Sequence, residues 1–404
     1  MSELLLSDIT VVDMTEGVAG PCTSLLLADM GANVIKVERE AGDWQRTTGS
    51  MRFAGLGSAL YLALNRNKRD LGIDVASDGG RAIMQRLVAR ADVVVSNYRP
   101  GVMAKLGLGF EACKALNDRI IYCTISGFGQ TGDYAQYPAS DTVIQAISGV
   151  MQMVGETDGP PLRVGFPLTD MAAANHAVQA ILLALYGRAL GRKKATEIDI
   201  SLTAAALMQQ NASFSEYLLA GTLPKRQGNQ NMSLAPAGAF EVEGGRYITI
   251  AILRDEHWQK FCSAMDLQHL TRDPRFASNA ARLKNRAELD AILRPLFASG
   301  TSEDWLARLR KADILCGPIN TFADIDADPA LAPNLPLVDT LLPGLDRIMG
   351  TPIRIDGSHF TTRRPPPGKG QHTREILAEL GFSPGETARL IENASAFEAQ
   401  SEGA

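Results

Sequence analysis

Short apolar runs alternating with stretches of helical period dominate the first half of the chain. Ile9-Thr-Val-Val-Asp-Met14 is compact and β-branched, which predicts a buried strand. A Gly-containing loop follows, Thr15-Glu-Gly-Val-Ala-Gly-Pro21. Apolar residues at three- and four-residue spacing from Cys22 to Met30 then predict a helix that Gly31 stops. Ala32 to Glu38 is a second strand, so about thirty residues hold one strand–helix–strand unit. The pattern continues with a helix over 79–91, strands over 92–96, 119–125 and 197–202, and a long helix over 203–220. Such alternation predicts an α/β fold built on a Rossmann-like parallel sheet.

Between these elements, Met171 to Arg188 has helical periodicity and no Gly or Pro before Gly187. The run Gly165-Phe-Pro-Leu-Thr-Asp170 leads into it and places Asp170 at or near the N-cap, where a carboxylate suits both the free backbone N–H groups and the helix dipole. Past Gly221 the pattern changes. Residues 224–238 are polar and punctuated by Gly and Pro, 246–252 predicts a strand, and 255–266 and 302–312 predict amphipathic helices. These changes divide the chain into a large first part over 1–225, a small α+β domain over 226–328, and a linker with a C-terminal segment over 329–404. The C-terminal segment carries a capped helix over 373–380.

Composition narrows the function. The 404 residues are 45% hydrophobic and 21% charged, the balance of a soluble globular protein, and the net charge of −5 leaves no basic footprint for nucleic acid. An acidic residue stands where a signal peptide needs a basic one, and no apolar run approaches the roughly eighteen residues of a membrane span, so a cytoplasmic protein without membrane attachment is expected. Five dispersed cysteines without a CxxC pair predict free thiols. No HxxxH or HExxH pair exists among the five histidines, so no metal site is expected. His176 lies off the face of Asp170.

Gly17 and Gly20 do not make GxGxxG, and neither a Walker A loop nor a GxSxG elbow is present. Lys36 and Arg39, Asn67-Lys68-Arg69, Asn97-Tyr98-Arg99-Pro100 and Lys105 fall where loops are expected to leave the carboxyl ends of strands. That is the ligand edge of a parallel sheet, and the grouping suits a phosphorylated, adenine-bearing ligand. Arg46, Arg52 and Arg163 are candidates to pair with a distal substrate carboxylate.

In order along the chain, Ala19-Gly-Pro21, Gly31 to Arg39, Asn65-Arg-Asn-Lys-Arg69, Asp92 to Gly101, Ser126-Gly-Phe-Gly-Gln130, Gly165 to Asp170, Cys316-Gly-Pro-Ile319 and Gly370-Gln-His-Thr373 resemble the class III CoA-transferase (CaiB/BaiF) family. The resemblance implies a Rossmann-like large domain made from both chain ends, a small domain between them, and an interlocked homodimer. It implies transfer of CoA from an acyl-CoA donor to a carboxylic acid acceptor, with Asp170 as nucleophile and no tightly bound cofactor. It also implies CoA contacts by Val18, Ala19, Arg39, Lys68, Arg69, Asn97, Tyr98 and Lys105. Val18 stands where some members carry a glutamine, Lys105 where some carry an arginine, and Gly228 to Asn231 is the candidate for the family's glycine-rich flap. Acyl-CoA racemases of the same family are the rival reading. They need a Gly-His-Asp motif, and the corresponding place here reads Pro138-Ala-Ser-Asp141. A non-catalytic acyl-CoA-binding protein is the third.

Overall fold

The computed structural model describes residues 4–49, 52–53 and 56–399. The chain forms two compact units, one of residues 1–150, 163–223 and 336–404, the other of residues 151–162 and 224–335. The stretch 151–162 therefore belongs to the second unit, although the sequence pattern places it in the first. Gly228 N–H donates to Gly155 O at 2.9 Å and ties it there.

Six strands build the first unit: β1 (Thr10–Met14), β2 (Asn33–Glu38), β3 (Lys68–Ile73), β4 (Val93–Ser96), β5 (Ile121–Ser126) and β6 (Thr196–Ser201). They are parallel in the order β3-β2-β1-β4-β5-β6, with a two-residue strand, Ala396–Phe397, antiparallel on the outer edge of β3. The strands are apolar because both faces are covered. Val11, Val34, Val93 and Val95 pack in one cluster with helices α1 (Ala19–Asp29) and α3 (Leu168–Ala189). Val12, Ile35, Val94 and Tyr122 pack in another with Ile83 and Leu87 of the helix Asp78–Arg90 and with Ile376 and Leu377 near the C-terminus.

Sequence periodicity misses β3. Its residues Lys68-Arg-Asp-Leu-Gly-Ile read as a basic loop, yet all six are buried, with Lys68, Arg69 and Asp70 each bonded to a partner from elsewhere in the chain. Lys68 Nζ lies 3.1 Å from Asp13 Oδ2, Arg69 Nη1 2.7 Å from Glu379 Oε1, and Asp70 Oδ1 accepts from Gly370 N–H at 2.5 Å. The expected helix over 203–220 is two helices, α4 (Leu202–Gln209) and α5 (Asn211–Ala220), with Gln210 between them donating its amide to Ser148 O at 3.0 Å.

Helix α3 is long and apolar enough to cross a membrane by length and composition. Here Thr169, Ala172, Ala173, Ala174, Ala177, Val178 and Ile181 are buried, and their small side chains let the helix lie close against the sheet core. In the second unit, Leu315–Pro318, Tyr247–Ala251 and Ala237–Glu241 form an antiparallel sheet under an aromatic cluster of Phe240, Phe261, Phe297 and Trp305.

Candidate active site

Strand connections reverse direction between β1 and β4, and the carboxyl ends of these two strands are where a doubly wound sheet opens a crevice. The loops leaving them are bonded to each other: Glu16 N–H donates to Asn97 Oδ1 at 3.0 Å and Asn97 Nδ2 donates to Glu16 O at 2.6 Å. A buried ion pair supports the first loop from below. Lys36 Nζ donates to Thr15 O at 2.8 Å and to Asp43 Oδ2 at 2.9 Å, and Asp43 Oδ1 accepts from Gly17 N–H at 3.2 Å. Gly17 has φ +81°, and a Cβ there would stand 2.8 Å from the Trp44 ring, so both conformation and space require glycine.

Two adjoining cavities of about 780 and 760 Å³ open at this edge and share Glu16, Trp44, Asn97, Ser126, Gly127 and Ala139. The larger is lined also by Val18, Ala19, Asp141, Arg163, Phe166 and Asp170. The other is lined by Arg39, Tyr98, Arg99 and Tyr137. The larger cavity thus holds Asp141 and Asp170 with Arg163, the other holds Arg39 and Arg99, and Glu16 lines both.

Asp170 is not the cap of its helix. Pro167 holds the N-cap position, and Asp170 falls in the first turn. The capping acceptor comes from α2 (Asp141–Ile147): Asp141 Oδ1 accepts from Thr169 N–H at 2.7 Å, Thr169 Oγ1 at 2.8 Å and Asp170 N–H at 3.4 Å. Asp141 Oδ2 accepts from the buried Gln145 Nε2 at 2.7 Å, and the same amide accepts from Val164 N–H at 2.8 Å through Oε1. One side-chain amide therefore fixes both the capping carboxylate and the segment that leads into α3. Burial first, and the Asp141 charge second, push the Asp170 carboxyl up to about 7. A carboxyl poised there is a stronger nucleophile when ionised than an ordinary aspartate, and it ionises around neutrality.

Of the residues assigned from the sequence, Val18, Ala19, Asn97 and Asp170 line the larger cavity, and Arg39, Asn97 and Tyr98 the other. Arg39 pairs with Glu16 at 3.3 Å, and burial pushes the Tyr98 phenol up to about 12. Lys68, Arg69 and Lys105 line neither cavity. Lys68 and Arg69 begin β3, with Asn67 in the turn before it, instead of leaving a carboxyl end, and all three donor positions of Lys68 Nζ are taken, by Asp13 Oδ2, Pro21 O and Asn65 Oδ1. Asn65 to Arg69 are buried throughout, with Arg66 and Asn67 bonded to Asp29 at the end of α1. Arg46 is also internal, its guanidinium on Glu38 at 2.9 Å and on Leu56 O at 2.6 Å, so it cannot receive a substrate carboxylate. The side chain of Arg52 lies outside the described residues. His176 is bonded to Gln179 on the helix surface.

Trp44 and Gln145 belong to the site and have no sequence signal, while Ser126 and Phe166 lie in motifs of the resemblance that gave them no role of their own. Ser140 caps α2, its Oγ accepting from Val143 N–H, which leaves Asp141 free to cap α3.

The model of CoA-transferase family III matches residues 6–373. The succinate–glutarate CoA-transferase of Agrobacterium fabrum is 34% identical over 93% of this chain and 95% of its own length, and the human succinyl-CoA:glutarate CoA-transferase 34% identical over 93% and 86%. A solved CaiB/BaiF family structure from Brucella suis superposes with a TM-score of 0.84 at 36% identity, covering 92% of this chain and 98% of that one. With the switch-point groove and its capped aspartate, these likenesses show that the chain belongs to CoA-transferase family III and is a CoA-transferase acting on acyl-CoA thioesters.

Proposed function

We propose that Asp170 is the covalent nucleophile. Its ionised carboxylate attacks the thioester carbonyl of the donor, forming a mixed anhydride and expelling CoA thiolate. The thiolate returns to the aspartyl carbonyl, which releases the donor acid and leaves an aspartyl-CoA thioester. An acceptor carboxylate attacks that thioester to give a second anhydride. CoA thiolate then attacks the acceptor's acyl carbon and restores Asp170. Each exchange conserves one activated acyl bond, so the four steps balance without a further reactant.

The observation that carries this reading is a buried carboxyl, raised to about 7, in a cavity at the sheet's switch point. Where racemisation needs a histidine, Ser140 stands with its hydroxyl committed to capping. We assign the CoA contacts to Val18, Ala19, Arg39, Asn97 and Tyr98. The cluster of Arg39 and Arg99 suits the phosphates, and the shared stretch of groove suits the pantetheine arm. The relatives named for succinate and glutarate support a small dicarboxylic acid as acceptor. Five free cysteines support a reducing, cytoplasmic setting. Unpartnered apolar side chains on α3 and α5 support the interlocked homodimer: no residue of α5 is buried, and Leu219 is 89% and Leu183 70% exposed.

Incubation with succinyl-CoA followed by hydroxylamine should place a hydroxamate on the peptide containing Asp170, read by mass spectrometry, with none in Asp170→Asn. Turnover of that donor without a modified Asp170 overturns the covalent route.

A further inference from the structure

Arg163 lines the same cavity as Asp170 and is the one cation among the described residues lining it. The other charged side chains there are Glu16, Asp141 and Asp170. Among the described residues its guanidinium has no carboxylate or hydrogen-bond partner, in contrast with Arg39 on Glu16 and Arg46 on Glu38. An arginine held over a cavity without an internal anion presents a fork that matches a carboxylate. Its backbone is not adrift. The next residue, Val164, donates its N–H to Gln145 Oε1, and Gln145 Nε2 donates to Phe166 O at 3.3 Å and to Asp141. The amide that fixes the cap of the reacting helix therefore also fixes the segment bearing Arg163.

We propose that Arg163 is the specificity-determining residue of this site, binding the distal carboxylate of a dicarboxylic acceptor and of the CoA half-thioester made from it. This rests on the reading of Asp170 as the reacting carboxylate. When one carboxyl of such a substrate is engaged there, the other is a free anion in a cavity that already holds Glu16 and Asp141. Without a counter-cation it is repelled; beside Arg163 it is paired. A monocarboxylic acid of the same length leaves Arg163 facing an alkyl end and gains nothing from it. The preference therefore lies in the difference between the two substrates, and it is carried by one side chain.

The experiment measures binding, so that it does not depend on turnover. In Asp170→Asn, affinities for succinyl-CoA and butyryl-CoA are compared by calorimetry, with and without Arg163→Gln. The background is expected to bind succinyl-CoA about 10- to 100-fold more tightly, the size of one charge-assisted contact. Adding Arg163→Gln should abolish the preference by weakening succinyl-CoA alone, to or below the affinity of butyryl-CoA, and Arg163→Lys should restore part of the difference. Equal affinities with Arg163 present, or a preference that survives Arg163→Gln, overturn the proposal. Undiminished turnover by Asp170→Asn alone would overturn the nucleophile assignment and leave this comparison standing.

Discussion

At the scale of the residue, the decisive pair is Asp170 and Asp141, two carboxylates on the start of one helix with different tasks. Asp141 takes the first-turn N–H groups, so the positive end of α3 is spent on it and not on the charge of Asp170. Asp170, buried and beside a like charge, is left with its carboxyl near 7. The nucleophilic role proposed for Asp170 requires the ionised form, so on that proposal kcat/KM should fall as pH drops below about 7. In Asp141→Asn the negative neighbour is gone, and the acid limb should move to lower pH, although not to the value of a free aspartate, because burial remains the larger cause. A pH–rate profile of both proteins reads this directly, and an unmoved limb means that Asp141 acts only as a cap. The same substitution sets an amide N–H against Gln145 Nε2, which cannot turn without losing its bond to Val164, so stability should drop by about 1–2 kcal/mol. Linkage works the other way for the wild type. A carboxyl raised in the folded state binds protons that the unfolded chain has already released, so the Asp170 contribution to stability is full near pH 4 and is lost as pH rises through 7.

Among the elements, those with an apolar period were legible and those built on charge were not. Strand β1, strand β2 and helix α3 lie within a few residues of where their spacing puts them, because burial of apolar side chains both shapes the pattern and forms the element. Strand β3 escapes because its outer half is Lys-Arg-Asp, whose burial depends on Asp13, Glu379 and Gly370, partners that lie far along the chain and leave no local period. The same blindness sent Lys68 and Arg69 to the ligand. The loops of the candidate site after β1 and β4, and the run that leads to Asp170, were legible; the bonds from Thr169 and Asp170 to Asp141 were not, since they join helices nearly thirty residues apart. If Lys68 belongs to β3 and not to the ligand, its removal should show in stability. Asp13 is held ionised against its burial by Lys68 and Lys36 together, and burial brings Lys68 itself down to about 8. Lys68→Met leaves Asp13 with half its counter-charge and removes the bonds to Pro21 O and Asn65 Oδ1, an expected loss of about 3–5 kcal/mol in chemical denaturation. The folded fraction should keep its KM for the acyl-CoA donor; a large rise in KM with unchanged stability would return Lys68 to the ligand.

For the whole molecule, the path of the chain and its uncovered apolar surface point the same way. The chain leaves the first unit briefly over 151–162 and again after residue 223, and returns for good at 336, so its two ends belong to one body and the long excursion between them is a closed path. Closure alone is common. What adds meaning is α5, a ten-residue helix with no buried residue although Phe214, Tyr217, Leu218 and Leu219 lie on it, and the exposed Leu183 and Tyr186 of α3. Apolar surface of that extent costs roughly 25 cal/mol for each Å² left in water, and chains that carry it usually cover it with another surface. In the interlocked homodimer proposed above, a second copy threaded through the excursion would cover it. Simple association and threading differ in one measurable respect. Two separable subunits exchange on mixing at a rate set by their dissociation, whereas linked subunits part only when one of them unfolds. Homodimers carrying two different tags, purified apart and mixed, should therefore yield no mixed dimer after days under native conditions. They should yield mixed dimer after unfolding and refolding together, or when co-expressed. Mixed dimers within hours would mean an ordinary interface on α3 and α5, and a monomer by light scattering would mean that those apolar side chains are covered by something other than a second copy.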